Sequence, residues 1–266
     1  MTVTRSSLAA DLRRLGVREG GVVMVHTRMS ALGHVVAAAE GVVRGILDAL
    51  GPEGTVMAYA GWEDHVYGLD DRPEEHRAGY AAEPPVFDLL ISEAARENGR
   101  IPERLRTWPG AERSDHPEAS TVAVGPRAAW LCGEHPADDG YGARSPLARL
   151  VEADGQVLML GAPLETITLL HHAEAIARVP DKRMVTYRIV LASGEEREYT
   201  DIETSEGAFD YASLDLPVDD EFEFIGGEAL AAGIGVRGPT GDGESVLFPA
   251  PELLRFGVAW MEERFG

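Results

Sequence analysis

The segment GVVMVHTRMSALGHVVAAAEGVVRGILDALGPEGTVMAY, residues 21–59, decides the fold class. It opens with the apolar run Gly21–His26, continues through a polar loop into a helical run at Val35–Leu50, and ends in a second apolar run, Thr55–Tyr59. Two buried strands joined by a helix form the unit that builds parallel sheets. We therefore predict an α/β core.

The flanking segments extend this pattern over the rest of the chain. The predicted strands are Gln156–Leu160 and Met184–Val190, and the predicted helices are Thr4–Leu15, Pro84–Glu97 and Pro251–Phe265. The stretch Gly61–Pro85 is polar and irregular, which is typical of a surface excursion that carries a site. Because no repeat or low-complexity linker interrupts the chain, we predict one domain over residues 1–266.

The composition limits the classes of function. The chain has 24 basic and 45 acidic residues, a net charge of −21, which opposes binding to nucleic acid and favours a cationic ligand. A solvated acidic surface is the alternative explanation of this charge. The sequence has no signal-peptide pattern, no apolar run long enough for a membrane span and a single cysteine, Cys132. We therefore expect a cytoplasmic protein without membrane or nucleic-acid partners; nothing in the pattern indicates an oligomeric state.

One apolar run, TITLLHHAEAIAR at residues 166–178, contains two histidines and a glutamate. On a helix, His171 and Glu174 lie one turn apart on the same face, so the carboxylate can fix the imidazole tautomer and leave the other nitrogen as a base. The same spacing also suits a partly buried histidine with a structural role, and the spacing alone does not separate these interpretations. His172 points elsewhere and is interpreted as structural.

Several other chemistries lack their motifs. The chain has no HExxH pattern for a metal, no GxSxG nucleophile elbow and no GxxxxGK[ST] phosphate loop. The loop Thr27–His34 joins a strand to a helix and is a weak candidate for phosphate binding. Ser145, followed by Pro146, has the pattern of a helix cap.

Six segments in order resemble the aminoglycoside 3-N-acetyltransferase family, also called the antibiotic N-acetyltransferase family, over essentially the whole chain. They are VHTRMSALGHVV at 25–36, DALGPEGTVMAYAGW at 48–62, RSDHP at 113–117, SPLARL at 145–150, VLMLGAPLETITLLHHAEAIARVPDKRMVTY at 157–187 and LLRFGVAWMEERFG at 253–266. The resemblance implies a single-domain α/β/α fold with a central mixed sheet. It does not imply the fold of the common GNAT acetyltransferase superfamily, whose R/Q-x-x-G-x-G/A loop is missing here.

The resemblance also implies an activity, the transfer of an acetyl group from acetyl-CoA to the 3-amino group of a 2-deoxystreptamine antibiotic, which confers resistance. It makes His171 the general base for the amine, Glu174 its orienting acid, and Thr168 a donor to developing charge. No metal is implied.

For the two substrates, the resemblance implies further residues. It selects Arg28, Met29, Ser30, Ala31 and Leu32 for the cofactor, with Ser145 as an additional candidate. Because the several ammonium groups of the antibiotic require carboxylates around the cleft, the residues expected to bind them are Asp64, Glu165, Asp219, Asp220, Glu221 and Glu223. The chain departs from the family pattern at Ala37–Ala38, where Gly-Gly is common, and at Glu165 and Ile167.

Three alternatives remain open from the residues. They are an acetyltransferase for another polyamine or a biosynthetic amine, a non-catalytic protein that sequesters polycations, and a metal-dependent amide hydrolase that uses the histidine pair.

Overall fold

The computed structural model describes residues 2–64 and 73–266, which form a three-layer α/β/α arrangement. Its strands are β1 (Thr2–Val3), β2 (Val22–Thr27), β3 (His34–Val35), β4 (Thr55–Tyr59), β5 (Val86–Phe87), β6 (Glu112–Arg113), β7 (Thr121–Val124), β8 (Gln156–Leu160), β9 (Met184–Leu191), β10 (Glu196–Ile202), β11 (Val236–Thr240) and β12 (Gly243–Pro249). Its helices are α1 (Arg5–Leu15), α2 (Ala38–Leu50), α3 (Glu74–Ala82), α4 (Arg100–Arg106), α5 (Ala128–Leu131), α6 (Pro146–Glu152), α7 (Leu169–Ile176), α8 (Glu221–Ala231) and α9 (Ala250–Phe265).

The central sheet is mixed and has the strand order β11-β12-β8-β2-β4-β7-β6. Strands β8, β2 and β4 run parallel to one another, and antiparallel strands extend the sheet on both sides. The unit β2-α2-β4 is the strand, helix, strand segment predicted within residues 21–59. The α/β/α fold class with a central mixed sheet is therefore confirmed.

Apolar side chains on the two faces of the sheet form two separate cores. In β2, Val22 and Met24 face one core while Val23 and Val25 face the other, because successive strand side chains alternate between faces. Helices α1, α2 and α4 cover the second face, and α6 to α9 cover the first. Such doubly covered strands are apolar throughout, which explains the continuous hydrophobic runs in the sequence.

The ends of helix α1 follow the sequence closely. Thr4 and Ser7 form a capping box at its start, and Gly16 ends it in a left-handed conformation with φ 109°. The predicted strands and the terminal helices agree with the structure within a few residues. The one-domain assignment over residues 1–266 stays a prediction.

The prediction of a helix at Pro84–Glu97 is wrong. Residues Val86–Phe87 form β5, which pairs with β9 in a small three-stranded sheet. After it, Asp88 accepts a hydrogen bond from the Leu90 backbone N–H at 2.8 Å, and the Ser92 hydroxyl accepts the Asp88 N–H at 2.9 Å. These local side-chain bonds turn the chain, because they compete with the backbone bonds of a helix.

The segment Gly61–Pro85 is more regular than its composition indicates, since it includes helix α3. Residues 65–72 of this segment lie outside the described residues. In the part of the chain that the structure describes, no helix is both long and apolar enough to cross a membrane.

Candidate active site

A cavity of about 790 Å³ opens beyond the carboxyl ends of strands β2 and β8. Its walls include residues 27–29 at the end of β2 and residues 165–168 after β8. In open α/β sheets, ligands bind in the crevice outside the carboxyl ends of the parallel strands. The volume lies in the range of small-molecule sites.

His171 lies on the wall of this cavity, and Glu174 lies directly behind it. The His171 Nδ1 donates a hydrogen bond of 2.7 Å to Glu174 Oε2, and the imidazole keeps 22% of its surface exposed while the carboxylate has none. Because Nδ1 carries the proton of this bond, Nε2 is left as the acceptor nitrogen. The helix α7 thus produces the one-turn pairing that the sequence predicts.

Two aromatic rings pack against the His171 imidazole. The ring centroids of Tyr141 and Phe222 lie 5.3 Å and 4.8 Å from its own. The backbone carbonyl of Tyr141 also accepts a hydrogen bond of 2.7 Å from His172 Nδ1. His172 is 4% exposed and is anchored to the backbone, so the geometry agrees with its structural interpretation.

The second oxygen of Glu174 is bound by the segment that follows β10. Glu174 Oε1 accepts the Tyr211 hydroxyl at 2.8 Å and the Ala208 backbone N–H at 3.3 Å. Every oxygen of this buried carboxylate therefore has a donor. Hydrogen bonding to the charged form of a carboxylate stabilises the charge in a buried position.

Thr168, at the start of α7, lines the same cavity and is only 8% exposed. Its hydroxyl makes no helix-capping bond. The structure thus brings Thr168 and His171 together on one wall, as the sequence analysis expects, while their roles remain predictions.

The predicted cofactor residues divide into two groups. Arg28 and Met29 line the cavity. Among the described residues, the other members fall outside the lining: Ser30, Ala31, Leu32 and Ser145. Ser145 instead caps α6 by accepting the Ala148 N–H at 3.3 Å, and Leu32 is fully buried in the second core.

The predicted acidic contacts also divide. Glu165 lines the cavity, whereas Asp64 is exposed and accepts a hydrogen bond of 3.0 Å from the Tyr80 hydroxyl. The other four residues surround the start of α8 and are absent from the described lining: Asp219, Asp220, Glu221 and Glu223. Asp220 caps this helix by accepting the Glu223 N–H at 2.8 Å.

Two carboxylates of the cavity wall, Glu97 and Glu118, were not among the predicted site residues. Burial, reinforced by the negative charges of Asp201 and Glu97, raises the pKa of Glu118 to about 8. The Tyr59 hydroxyl donates a bond of 2.7 Å to the Glu118 backbone carbonyl and fixes this turn. The sequence feature that could have indicated Glu118 as a site residue is its position directly after the RSDHP motif. In the structure, the end of this motif lies beside the cavity.

Another part of the wall is cationic. Arg28 and Arg100 line the cavity, and within residues 2–64 and 73–266 neither has an ion-pair partner. The segments that carry them are adjacent. Gly99 lies so near Thr27 that a Cβ atom built on Gly99 would be 3.3 Å from the Thr27 carbonyl oxygen.

Three buried polar atoms of the lining also have no hydrogen-bond partner in the described protein. They are His26 Nε2, Thr27 Oγ1 and Asn98 Nδ2. Because an unsatisfied buried polar group is costly, these atoms fit a hydrogen-bonding ligand. Burial lowers the pKa of His26 to about 4, so its imidazole is neutral at physiological pH. Residues 2–64 and 73–266 contain no group of three or more metal-ligating side chains.

A histidine–carboxylate pair on a cavity beyond parallel strands defines an α/β enzyme site equipped for proton transfer. The sequence profile of the aminoglycoside 3-N-acetyltransferase family matches residues 24–262. The chain is 49% identical over 268 residues to aminoglycoside N(3)-acetyltransferase VII of Streptomyces paromomycinus, covering 99% of this chain and 93% of that one.

Two solved structures agree with this match. Aminoglycoside acetyltransferase AAC(3)-Xa has a TM-score of 0.92 and 47% identity, covering 100% of this chain and 94% of that one. A binary complex of AAC-IIIb with CoASH has a TM-score of 0.89 and 43% identity, covering 100% and 98%. The chain therefore belongs to the aminoglycoside 3-N-acetyltransferase family, and its fold is that of these enzymes rather than the GNAT fold.

Proposed function

We propose that this protein transfers an acetyl group from acetyl-CoA to the 3-amino group of 2-deoxystreptamine aminoglycosides and thereby confers resistance. The observation that carries the proposal is the His171–Glu174 pair on the wall of the cavity, in a chain of this family. An amine must lose a proton to become an amide, and a neutral imidazole nitrogen beside the cavity is suited to take it.

The reaction follows from this geometry. The substrate nitrogen attacks the thioester carbonyl while His171 Nε2 takes a proton from it, so a C–N bond forms. The C–S bond then breaks, and the imidazolium returns the proton to the departing thiolate. Glu174 stabilises the imidazolium, since its Oε2 accepts the Nδ1 proton at 2.7 Å.

Thr168 is the third member of the proposed machinery. Its hydroxyl lies on the cavity wall one turn before His171 and makes no capping bond in the helix. We assign it the role of a hydrogen-bond donor to the charge that develops on the carbonyl oxygen or the sulfur.

The cationic part of the wall suits the phosphates of CoA. Arg28 and Arg100 have no ion pair within the described chain, although the protein carries 45 acidic residues. Guanidinium groups bind phosphate oxygens through paired, charge-assisted hydrogen bonds. The unpaired atoms of His26, Thr27 and Asn98 lie on the same cavity and suit amide or hydroxyl groups of a ligand.

The acidic part of the wall suits a polycationic antibiotic. Glu97, Glu118 and Glu165 come from three separate segments and meet on one cavity. An ammonium group beside a buried carboxyl favours its ionised form, so binding of the antibiotic stabilises the charge that burial disfavours at Glu118.

The partners and compartment complete the proposal. The substrates are acetyl-CoA and an aminoglycoside, and the net charge of −21 argues against a nucleic-acid partner. We place the activity in the cytoplasm, where acetyl-CoA is available.

The direct experiment incubates the protein with acetyl-CoA and a panel of aminoglycosides and measures free CoA with a thiol reagent. We expect turnover with 2-deoxystreptamine compounds and a product NMR spectrum with the acetyl group on the 3-amino nitrogen. If only other polyamines were acetylated, the substrate would be such an amine and not the antibiotic. Tight binding of the antibiotic that does not depend on acetyl-CoA would indicate a protein that sequesters polycations.

The cationic wall has its own experiment, which compares acetyl-CoA with acetyl-pantetheine, a thioester that lacks both the phosphates and the adenosine of CoA. Arg100→Ala and Arg28→Ala are each expected to raise the KM for acetyl-CoA by roughly tenfold, because each variant loses a charge-assisted hydrogen bond to a phosphate. The same variants leave turnover of acetyl-pantetheine unchanged. An equal loss with both thioesters would contradict the phosphate assignment.

A further inference from the structure

We propose that Tyr211 is a positioning residue of this active site, which holds the Glu174 carboxylate aimed at His171. The inference rests on the proposed function of His171 as the base. Tyr211 acts through Glu174 and touches neither substrate.

The contact that carries the inference is the hydrogen bond of 2.8 Å from the Tyr211 hydroxyl to Glu174 Oε1. The opposite oxygen, Oε2, receives the His171 Nδ1 proton at 2.7 Å. The carboxylate is therefore clamped between two side-chain donors, with the Ala208 N–H as a third at 3.3 Å. A carboxylate bound at both oxygens has one orientation, and this orientation also sets the direction of the imidazole.

The Tyr211 ring is fixed by its own surroundings. It is 6% exposed and packs against Phe265 of α9 at 5.3 Å, edge to face, and against Phe209 at 5.7 Å. The chain makes room for the ring at Gly207, where a Cβ would lie 2.7 Å from a Tyr211 ring carbon. The hydroxyl therefore reaches Glu174 from a rigid aromatic cluster.

The phenol remains a donor over the working pH range. Burial, reinforced by the neighbouring negative charge of Glu174, raises the pKa of Tyr211 above its ordinary value. A protonated phenol facing an ionised carboxylate forms a charge-assisted hydrogen bond, which is stronger than a neutral one.

The other charged or titratable groups around Glu174 lie on its own helix and on two other segments. His171 is on the same helix, Lys182 follows α7, and Glu221 opens α8. The Lys182 ammonium donates to the Ala175 carbonyl at 2.6 Å and so is held by the end of α7. In the described chain, Tyr211 and His171 are the side chains that hydrogen-bond the Glu174 carboxylate directly.

The test is Tyr211→Phe, which keeps the ring and removes the donor. We expect kcat/KM for the aminoglycoside to fall about tenfold and the acid limb of its pH profile to move up by about half a unit to one unit. The limb moves in this direction because Glu174 Oε2 carries more of the negative charge without the phenol and favours the imidazolium. The KM for acetyl-CoA stays unchanged.

The matched control is Tyr187→Phe. Its hydroxyl also donates a bond of 2.8 Å to a buried carboxylate, that of Asp201, but within the small sheet, where β9 carries Tyr187 and β10 carries Asp201. This variant is expected to lose comparable stability and to leave the acid limb in place. A limb that stays in place in Tyr211→Phe, or that moves equally in both variants, overturns the inference.

A second measurement keeps the test independent of turnover and of packing. Incorporation of 3-fluorotyrosine at position 211 makes the phenol a stronger donor, and the pH at which the His171 Cε1–H NMR resonance titrates is then expected to fall. An unchanged titration contradicts the inference even if Tyr211→Phe does not fold. Loss of acetyl transfer in the unmodified protein would instead contradict the proposed function, so the two failures are distinguishable.

Discussion

Residues 2–64 and 73–266 contain two histidine–carboxylate pairs, and the pairs differ in their access to solvent. His171 Nδ1 and Glu174 Oε2 are 2.7 Å apart, and the histidine side chain is 22% exposed to the cavity. His116 Nε2 and Asp201 Oδ2 are 3.3 Å apart, and both side chains are sealed, at 0% and 2% exposure. The first pair lies within one helix turn, whereas the second joins a loop of the main sheet to β10 of the small sheet.

The sealed pair is built to hold the fold together. His116 Nδ1 accepts the Ala119 N–H at 3.0 Å, which leaves the proton on Nε2 towards Asp201. Asp201 also accepts the Tyr187 hydroxyl and the Gly140 N–H, each at 2.8 Å. Burial acts to raise the pKa of Asp201, but the contact with His116 and these hydrogen bonds lower it by more, so that the pKa lies below its ordinary value. At the open site Glu174 binds Nδ1 of the histidine and leaves Nε2 for a substrate, whereas at the sealed site the Ala119 N–H occupies Nδ1 and the ring has no exposed surface.

The largest expected effect is the loss of turnover in His171→Ala. Removal of a general base lowers kcat by about 10²- to 10⁴-fold, and the fold is kept because the residue borders a cavity. Steady-state kinetics and a calorimetric titration with CoA provide the measurements. Full activity in this variant would contradict the role of His171 as the base, because the open pair would then have no part in the reaction.

The corresponding change at the sealed pair is His116→Ala, with an expected loss of about 2–4 kcal/mol in the free energy of unfolding. The loss follows because Asp201 remains buried with one partner fewer. Urea denaturation measures it, and kcat per folded molecule serves as the control. A stable variant with abolished kcat would show that the sealed pair also takes part in the reaction.

A smaller effect is expected at Glu118, the buried carboxyl of the cavity. Its pKa is about 8 in the folded protein and about 4.5 in an unfolded chain. Because the folded value is raised, its contribution to stability is present below about pH 4.5 and is lost as the pH rises through about 8. Glu118→Gln is therefore expected to stabilise the protein by about 1–2 kcal/mol near pH 9 and to change little near pH 4.

Urea denaturation at the two pH values provides the measurement for Glu118→Gln, and the aminoglycoside KM is its functional readout. A rise in KM together with the gain in stability would indicate that the cavity keeps this carboxyl for its ligand. An equal effect at both pH values would contradict the assignment of the raised pKa.

The smallest expected effect concerns the backbone beside the predicted cofactor loop. Ala37 and Ala38 have left-handed φ values of 63° and 49°, which explains why the family pattern has Gly-Gly at this place. Replacing both with glycine is expected to raise stability by about 1 kcal/mol, since relief of backbone strain exceeds the added chain entropy.

The control for that change is Ala39→Gly, one residue further into helix α2. Its backbone is helical, so glycine is expected to lower stability by about 1 kcal/mol. Thermal unfolding compares the two variants, and the same sign in both would contradict the strain interpretation.

Local features of the site were predictable from the sequence, whereas its assembly was not. The His171–Glu174 spacing specifies its own geometry once α7 forms, because residues three apart share a helix face. Glu97, Glu118 and Arg100 lie far from α7 in the sequence and reach the cavity through the packing of separate elements. The helix predicted at Pro84–Glu97 is wrong partly for the same reason, since Val86–Phe87 pairs with the distant strand β9, and local hydrogen bonds of Asp88 and Ser92 then turn the chain.

The sequence alone determined the α/β core, the family resemblance and the pairing of His171 with Glu174, because each depends on periodicity or short spacing. The tertiary structure decided which histidine–carboxylate pair is open, which acids face the cavity and that Tyr211 completes the clamp on Glu174. These outcomes depend on burial and on contacts between distant segments, and a linear pattern carries neither.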